Sequence, residues 1–349
     1  MNSSRIHYEG KIVYIGIDVH KKTYIMTAYC EGMIMKRATC PADPVVFADS
    51  LRKWFKGAQI KSVYEAGFSG FVLHRVLVAA GIENIVVNPS SVEVASKDRV
   101  KTDKRDSKKL AEQLSVGRLV GIYVPTNKEE LKRQLPRTRD QLVKTRTRVA
   151  NQIKGKLFQF GLMLPDDDRL VSNRFLKVIE RFELPSELKL ALTVLIETWR
   201  ELTVKIWKLT RALKKQAVED SALERVYRSV PGVGVVGSRI LATELGDMSR
   251  FRNVRSLYSY TGLTPSEFSS GEHVRRGHIS RQGNSWVRGV LVEIAWRTIA
   301  KDRDLREVYE KLKGRRGAKI AIVAIARKLI GRIRACLRSG EMYCYASVA

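Results

Sequence analysis

The sequence predicts an α/β domain followed by a helical coiled coil and a mostly α-helical third domain. Three observations carry this reading: short β-branched runs near the amino end, a leucine-rich heptad in the middle, and Gly-punctuated helical stretches beyond it. The divisions fall at 1–126, 127–222 and 223–349 of the 349 residues, sizes ordinary for single domains.

Residues 12–18 (IVYIGID), 23–30 (TYIMTAYC) and 33–38 are partly alternating runs separated by turn-like residues, the pattern of an antiparallel strand meander. A helix over 44–55, a strand over 61–65, a helix over 69–80 and a strand over 84–87 follow, the last closed by Asn88-Pro89. A helix begins near Asp103 and runs through Leu110 and Leu114, and a short apolar run stands at 119–124. Leu142, Val149, Ile153 and Leu157 then fall at helical spacing, predicting a long helix after Pro136 with Arg and Lys on its other faces. Asp166, Asp167 and Asp168 read as the acidic first turn of a helix. Leu188, Leu192, Leu195, Trp199, Leu202, Ile206, Leu209 and Leu213 alternate steps of four and three, a heptad seam. Its partner, the 137–160 helix or another protomer, is open at this level. The character changes from Leu223 onward, with helices at 221–229, 236–246, 284–300 and 318–338 and a long polar loop among them.

Lys and Arg number 64 against 36 Asp and Glu, a formal charge of +28. Such a chain expects a polyanion, nucleic acid first. No apolar run approaches the length of a spanning helix, and Met1 to Lys11 is too polar for a signal peptide. Cys30, Cys40, Cys336 and Cys344 form no C-x-x-C pair and read as reduced thiols of a cytoplasmic protein. His273 and His278 lack an H-E-x-x-H context, so zinc is not expected.

Asp18 ends the first strand in YIGID and Glu65 ends the fourth in VYEAG, and strand ends at the centre of a sheet converge. Asp103 and Asp106, in KTDKRD, are three apart and share one helical face. Each carboxylate alone is an ordinary turn or cap residue. Together, on a basic strand-rich domain, they repel unless cations neutralise them. Two Mg²⁺ ions about 3.5–4 Å apart, or Mn²⁺ in their place, are the usual arrangement for displacement at a phosphodiester. Lys104 and Arg105 flank the acidic pair and are candidates for nucleic-acid contact.

Val230-Pro231-Gly232-Val233-Gly234, set between helical segments, reads as a helix-hairpin-helix turn in which Gly232 and Gly234 expose backbone N–H groups to a phosphate. An ordinary helix connection is the equal alternative. Downstream, YTGLTPSEFSSGEHVRRGHISRQGN is too long for an economical connection. It carries Ser266, Ser269, Ser270, Ser280 and Ser285 beside Arg275, Arg276 and Arg281, whose guanidiniums suit phosphate. Chemistry alone does not rank these serines.

The string YIGID…YEAG…NP…KTDKRD resembles the RuvC-like domain of the bridge-RNA-guided DEDD transposases, the insertion-sequence 110 family, which includes Piv-type DNA invertases. The resemblance implies a ribonuclease-H-like fold with Asp18, Glu65, Asp103 and Asp106 as metal ligands. Ser107 departs from the family's usual Ala. G-L-T-P, four residues, then Ser-Gly resembles the carboxyl-terminal domain of the same family and places its nucleophilic serine on Ser270. The implied chemistry is attack of Ser270 on a DNA phosphate, giving a phosphoserine link and a free 3′-OH. The resemblance further implies donor and target DNA as substrates and a structured bridge RNA that chooses sequence. A dimer or tetramer follows if the serine meets the carboxylates of another protomer. Two alternatives stand beside this: a metal-only junction resolvase or nuclease using water, and a non-catalytic nucleic-acid-binding protein.

Overall fold

A computed structural model describes residues 8–92, 103–162, 171–219, 221–267 and 276–347. The chain packs as two compact units, Met1–Pro125 and Thr126–Ala349.

In the first unit, β1 (Ile12–Val19), β2 (Thr23–Cys30) and β3 (Met33–Pro41) form the meander, followed by α1 (Pro44–Trp54), β4 (Gln59–Glu65), α2 (Val72–Ala79), β5 (Glu83–Val87) and α3 (Asp103–Ser115). The sheet order is β3-β2-β1-β4-β5. β1 runs antiparallel to β2 and parallel to β4, which is parallel to β5. Side chains alternate between faces. Val13, Ile15, Ile17 and Tyr64 point to the face where Phe47 and Leu51 of α1 and Leu73 and Leu77 of α2 complete a core. Val63 and Val87 face the other way, into a smaller core with Leu110 of α3. The apolar run at 119–124 adds no strand; Ile122 gives one backbone hydrogen bond, 2.7 Å, to the Val86 carbonyl.

The second unit opens with α4 (Asn127–Lys132) and α5 (Gln134–Gln159). A capping box between Thr126 and Glu129 starts α4. The long helix starts before Pro136 rather than after it: Pro136 sits in the first turn of α5, where its missing N–H has no helical partner to lose. The Asp166 to Asp168 run lies outside the described residues. α6 (Asn173–Ile179) and α7 (Ser186–Glu219) follow. The heptad seam has its partner within the chain: Leu188, Leu192, Trp199 and Leu202 of α7 share a core with Val149, Ile153 and Leu157 of α5.

Then come α8 (Ser221–Ser229), α9 (Val235–Leu245), α10 (Val254–Thr261), β6 (Pro265–Glu267), β7 (Arg276–Ile279), α11 (Ser285–Thr298), α12 (Arg303–Arg316) and α13 (Ala318–Ser339). Their core joins Leu241, Leu257, Leu291, Leu305 and Leu329. The stretch expected as a long unstructured loop contains a hairpin, because β6 and β7 pair antiparallel with Pro265 opposite Ile279 and Glu267 opposite Arg276. No helix among the described residues is long and apolar enough to cross a membrane.

Candidate functional site

The register of the sheet assembles the acidic site. Ile17 of β1 pairs with Tyr64 of β4, so Asp18 and Glu65 stand next to each other at the carboxyl ends of adjacent parallel strands. Asp18 alternates with Ile17 and Glu65 with Tyr64, so both carboxylates point away from the larger core and toward α3. Asp106 reaches the same place from the first turns of α3. All three line one cleft of about 210 Å³, together with His20, Gly67, Phe68 and Ser69. Asp103 opens the same helix one turn earlier, and its side chain, like that of Lys104, lies outside the described residues. Arg105 follows on the exposed side of α3.

Close approach of α3 makes this convergence possible. A Cβ on Gly16 would overlap the Ser107 carbonyl and the Ala111 amide, so only glycine lets the helix backbone rest on β1. Ser107 is fully buried and its hydroxyl lies 2.9 Å from that of Thr27 on β2, also fully buried. The departure at Ser107 is therefore a polar tie between α3 and the sheet. It fixes the helix one residue from Asp106.

Carboxylate oxygens are the donors that hard divalent cations take, and among the described residues that line the cleft there is no lysine or arginine. The residues fit such an ion in donor type. Among the described residues no three His, Cys, Asp or Glu side chains are gathered closely enough to hold a metal, so the shell needs Asp103 or a further approach of the three. Two lining residues escaped the sequence reading. His20 lies with Nε2 3.3 Å from Asp18 Oδ2, and the i, i+2 spacing on one strand face was its signal. Phe68 is 75% exposed at the cleft; an aromatic in a Gly-flanked loop after a strand end was the hint.

In the second unit, Ser269, Ser270 and Arg275 lie outside the described residues, as does the side chain of Arg276, which opens β7. What is described is the chain on either side of them. Ser280 N donates to the Thr264 carbonyl at 2.8 Å and Asn284 N to the Tyr260 carbonyl at 2.7 Å. Ser266 donates to the His278 carbonyl across the hairpin at 2.8 Å. Arg281 is exposed and adopts φ 57, a left-handed conformation unusual for a side-chain-bearing residue. Below the hairpin sits Glu244 of α9, whose side chain is 0% exposed. Its carboxylate accepts from Arg137 Nε at 2.7 Å, Arg137 Nη2 at 2.9 Å and Asn284 Nδ2 at 2.9 Å. Asn284 also caps α11 through Val287 N at 3.0 Å. Donation to the Glu244 carboxylate holds the Arg137 guanidinium above its ordinary pKa. One buried carboxylate thus ties α5, α9 and the return of the serine hairpin together.

Comparison with known proteins decides the family. Residues 15–161 match the transposase model of the IS110 DEDD type, and residues 224–310 match the model described as the transposase IS116/IS110/IS902 family. The chain belongs to the IS110/IS116 transposase family. Among its relatives, a Sinorhizobium fredii protein that carries the transposase name y4qE is 35% identical over 67% of this chain and 57% of its own length. The transposase for insertion sequence element IS1328 of Yersinia enterocolitica is 30% identical over 56% of this chain and 58% of its own. That for element IS1111A of Coxiella burnetii is 28% identical over 77% of this chain and 75% of its own. The chain thus spans under two thirds of the length of the first two of these curated relatives.

In this IS110-family chain the two matched segments coincide with the two sites. The DEDD match contains Asp18, Glu65, Asp103 and Asp106, and points to a divalent metal. The second match contains Ser270, Arg275, Arg276 and Arg281, and also the α8–α9 turn. In that turn Gly232 has φ 87, and a Cβ there would press on Arg297, while the neighbouring Pro231 carbonyl accepts from Thr298 Oγ1 at 2.8 Å. Packing on α11 therefore accounts for this glycine. Gly234 stands at the N-cap of α9 in open space, with no side chain capping the helix amides.

Proposed function

We propose that this insertion-sequence transposase cuts and rejoins DNA through a phosphoserine intermediate, with Ser270 as nucleophile and a ribonuclease-H-like acidic site formed by Asp18, Glu65, Asp103 and Asp106. The observation that carries the reading is the meeting of Asp18, Glu65 and Asp106 in one cleft. Those carboxylates would hold divalent cations, Mg²⁺ or Mn²⁺, which supply charge neutralisation and Lewis acidity at the phosphodiester. The Ser270 hydroxyl gives up its proton as its oxygen bonds to phosphorus. The bond from phosphorus to the 3′ oxygen breaks, and that oxygen takes a proton to become a free 3′-OH. Reversal by a 3′-OH of another strand rejoins DNA without ATP, since the ester conserves the bond. Arg275, Arg276 and Arg281 neutralise the phosphate from the serine side, and Lys104, Arg105 and the amides after Gly234 hold flanking backbone; the amide after Gly232 is taken by the Val230 carbonyl at 3.1 Å.

The charge of +28 supports DNA as substrate and accommodates a structured bridge RNA as guide. A dimer or tetramer remains part of the reading only through a serine that meets the carboxylates of another protomer. The heptad seam no longer argues for it, being covered by α5.

The test is a denaturing gel of the protein with labelled DNA and Mg²⁺. The expected result is a covalent adduct that Ser270→Ala and Asp18→Asn each abolish while DNA binding persists. Cleavage that survives Ser270→Ala and leaves no adduct would establish water as nucleophile and a metal-only nuclease. Asp18→Asn that abolishes recombination with binding intact excludes a non-catalytic binding protein, whereas unchanged recombination overturns the acidic site as the catalytic centre. Sequencing of nucleic acid that co-purifies with the protein tests the guide, which requires one recurrent RNA.

A further inference from the structure

A second cleft, of about 400 Å³, lies in the carboxyl-terminal helices, away from the hairpin residues. It is lined by Leu223, Asp247, Met248, Phe251, Leu337 and their polar neighbours Ser249, Arg252, Arg334 and Arg338. Three guanidiniums face one carboxylate there. The carboxylate is already engaged: Asp247 accepts from both the amide and the hydroxyl of Ser249, which hold its pKa below the ordinary value. Arg252 and Arg338 are exposed and make no ion pair among the described residues. Arg334 reaches the Phe251 carbonyl with Nη2 at 3.0 Å, while its buried Nε has no hydrogen-bond partner.

The contrast with the larger cavity beside α9 is informative. In that cavity, of about 620 Å³, Arg239 is paired with Glu224 at 2.7 Å. Arg239 there has a carboxylate partner; Arg252 and Arg338 of the smaller cleft have none among the described residues. Its floor is apolar, with Met248 and Phe251 buried beneath and Leu223 37% exposed at the surface. An apolar floor with two exposed guanidiniums at its rim, those of Arg252 and Arg338, matches one chemistry: a flat base against the floor and its phosphates on the rim. A duplex keeps its bases stacked inward and offers only the phosphates.

We infer that this cleft binds an unpaired nucleotide of a single-stranded nucleic acid, DNA or RNA, by its base and its flanking phosphates. The inference rests on a nucleic-acid partner for the chain but not on the role of Ser270.

The test measures binding of the full chain to labelled single-stranded DNA, single-stranded RNA and blunt duplex DNA across a salt series. Arg252→Ala with Arg338→Ala is compared with Lys208→Ala with Lys214→Ala, a pair of exposed lysines on α7 that removes the same charge elsewhere. The cleft variant should weaken single-strand binding about 10- to 50-fold and lower the salt slope by about 1.4. The lysine variant and the duplex arm should change several-fold less. Leu223→Gln should weaken single-strand binding by about 3- to 10-fold with the slope unchanged, because base contact releases no counterions. The more affected single strand identifies the source as DNA or RNA. Equal losses in both double variants, or equal losses on duplex and single strand, overturn the proposal. Failure of the unmutated protein to bind any of the three would instead remove the nucleic-acid partner itself.

Discussion

Glu244 offers a prediction whose sign, not only its size, is fixed by the structure. The carboxylate is fully buried and depends on Arg137 for two of its three side-chain hydrogen bonds, whereas the Arg137 side chain is 47% exposed. Loss of either partner is therefore unequal. Glu244→Gln leaves Arg137 free to turn to water and keeps an oxygen for Asn284, at a cost of about 1–2 kcal/mol. Arg137→Ala strands a buried negative charge on a single amide donor, which costs about 3–5 kcal/mol. Once Arg137 is absent the charge itself is the liability. Glu244→Gln should then stabilise the Arg137→Ala protein although it destabilises the unmutated one. Urea unfolding of the four proteins of this cycle at pH 7 measures it. If Glu244→Gln costs the same in both backgrounds, the carboxylate is hydrated and the tie beneath the hairpin is not what its geometry implies.

Gly16→Ala should push α3 off the sheet, lowering stability by about 1–3 kcal/mol and, with Asp106 displaced, reducing DNA cleavage more than Tm alone explains. Ser107→Ala leaves the buried Thr27 hydroxyl without the 2.9 Å contact, a loss of about 1–3 kcal/mol. Adding Thr27→Val to it should recover most of that loss in thermal unfolding. Phe68→Ala, at a side chain 75% exposed, should leave Tm within about 2 °C yet weaken DNA binding in anisotropy measurements by about 5- to 100-fold if the ring stacks on a base. An unchanged affinity would make Phe68 a bystander at the cleft.

The acidic site was legible because its positions follow from strand alternation. Asp18 and Glu65 each end an apolar run, and a period of two assigns their face once the sheet order is known. What the sequence could not state was that order, which rests on β1 pairing with β4 across an intervening hairpin and helix. Gly16 gave no warning of its role, since close approach of a helix leaves no trace at a single glycine. The partner of the heptad was undecidable locally: α5 presents Val149, Ile153 and Leu157, which would serve an intermolecular seam equally well. Helix α12 escaped notice because only Leu305 and Tyr309 of its residues are buried, too few to print a period, although Asp302 accepts from Leu305 N at 2.9 Å as a cap would. The hairpin at 265–279 was hidden by its brevity. Its strands are stabilised by cross-strand bonds rather than by an alternating apolar face.

That hairpin has a consequence for how these proteins diversify. Pairing of Glu267 with Arg276, and the bonds of Ser280 and Asn284 below it, set where the chain departs from the helical core and where it returns. With both ends fixed, doubling the length of chain that joins them costs only about 0.6 kcal/mol in closure entropy. Grafting the corresponding stretch of a relative between Glu267 and Arg276 should therefore leave the thermal unfolding of the helical body unchanged.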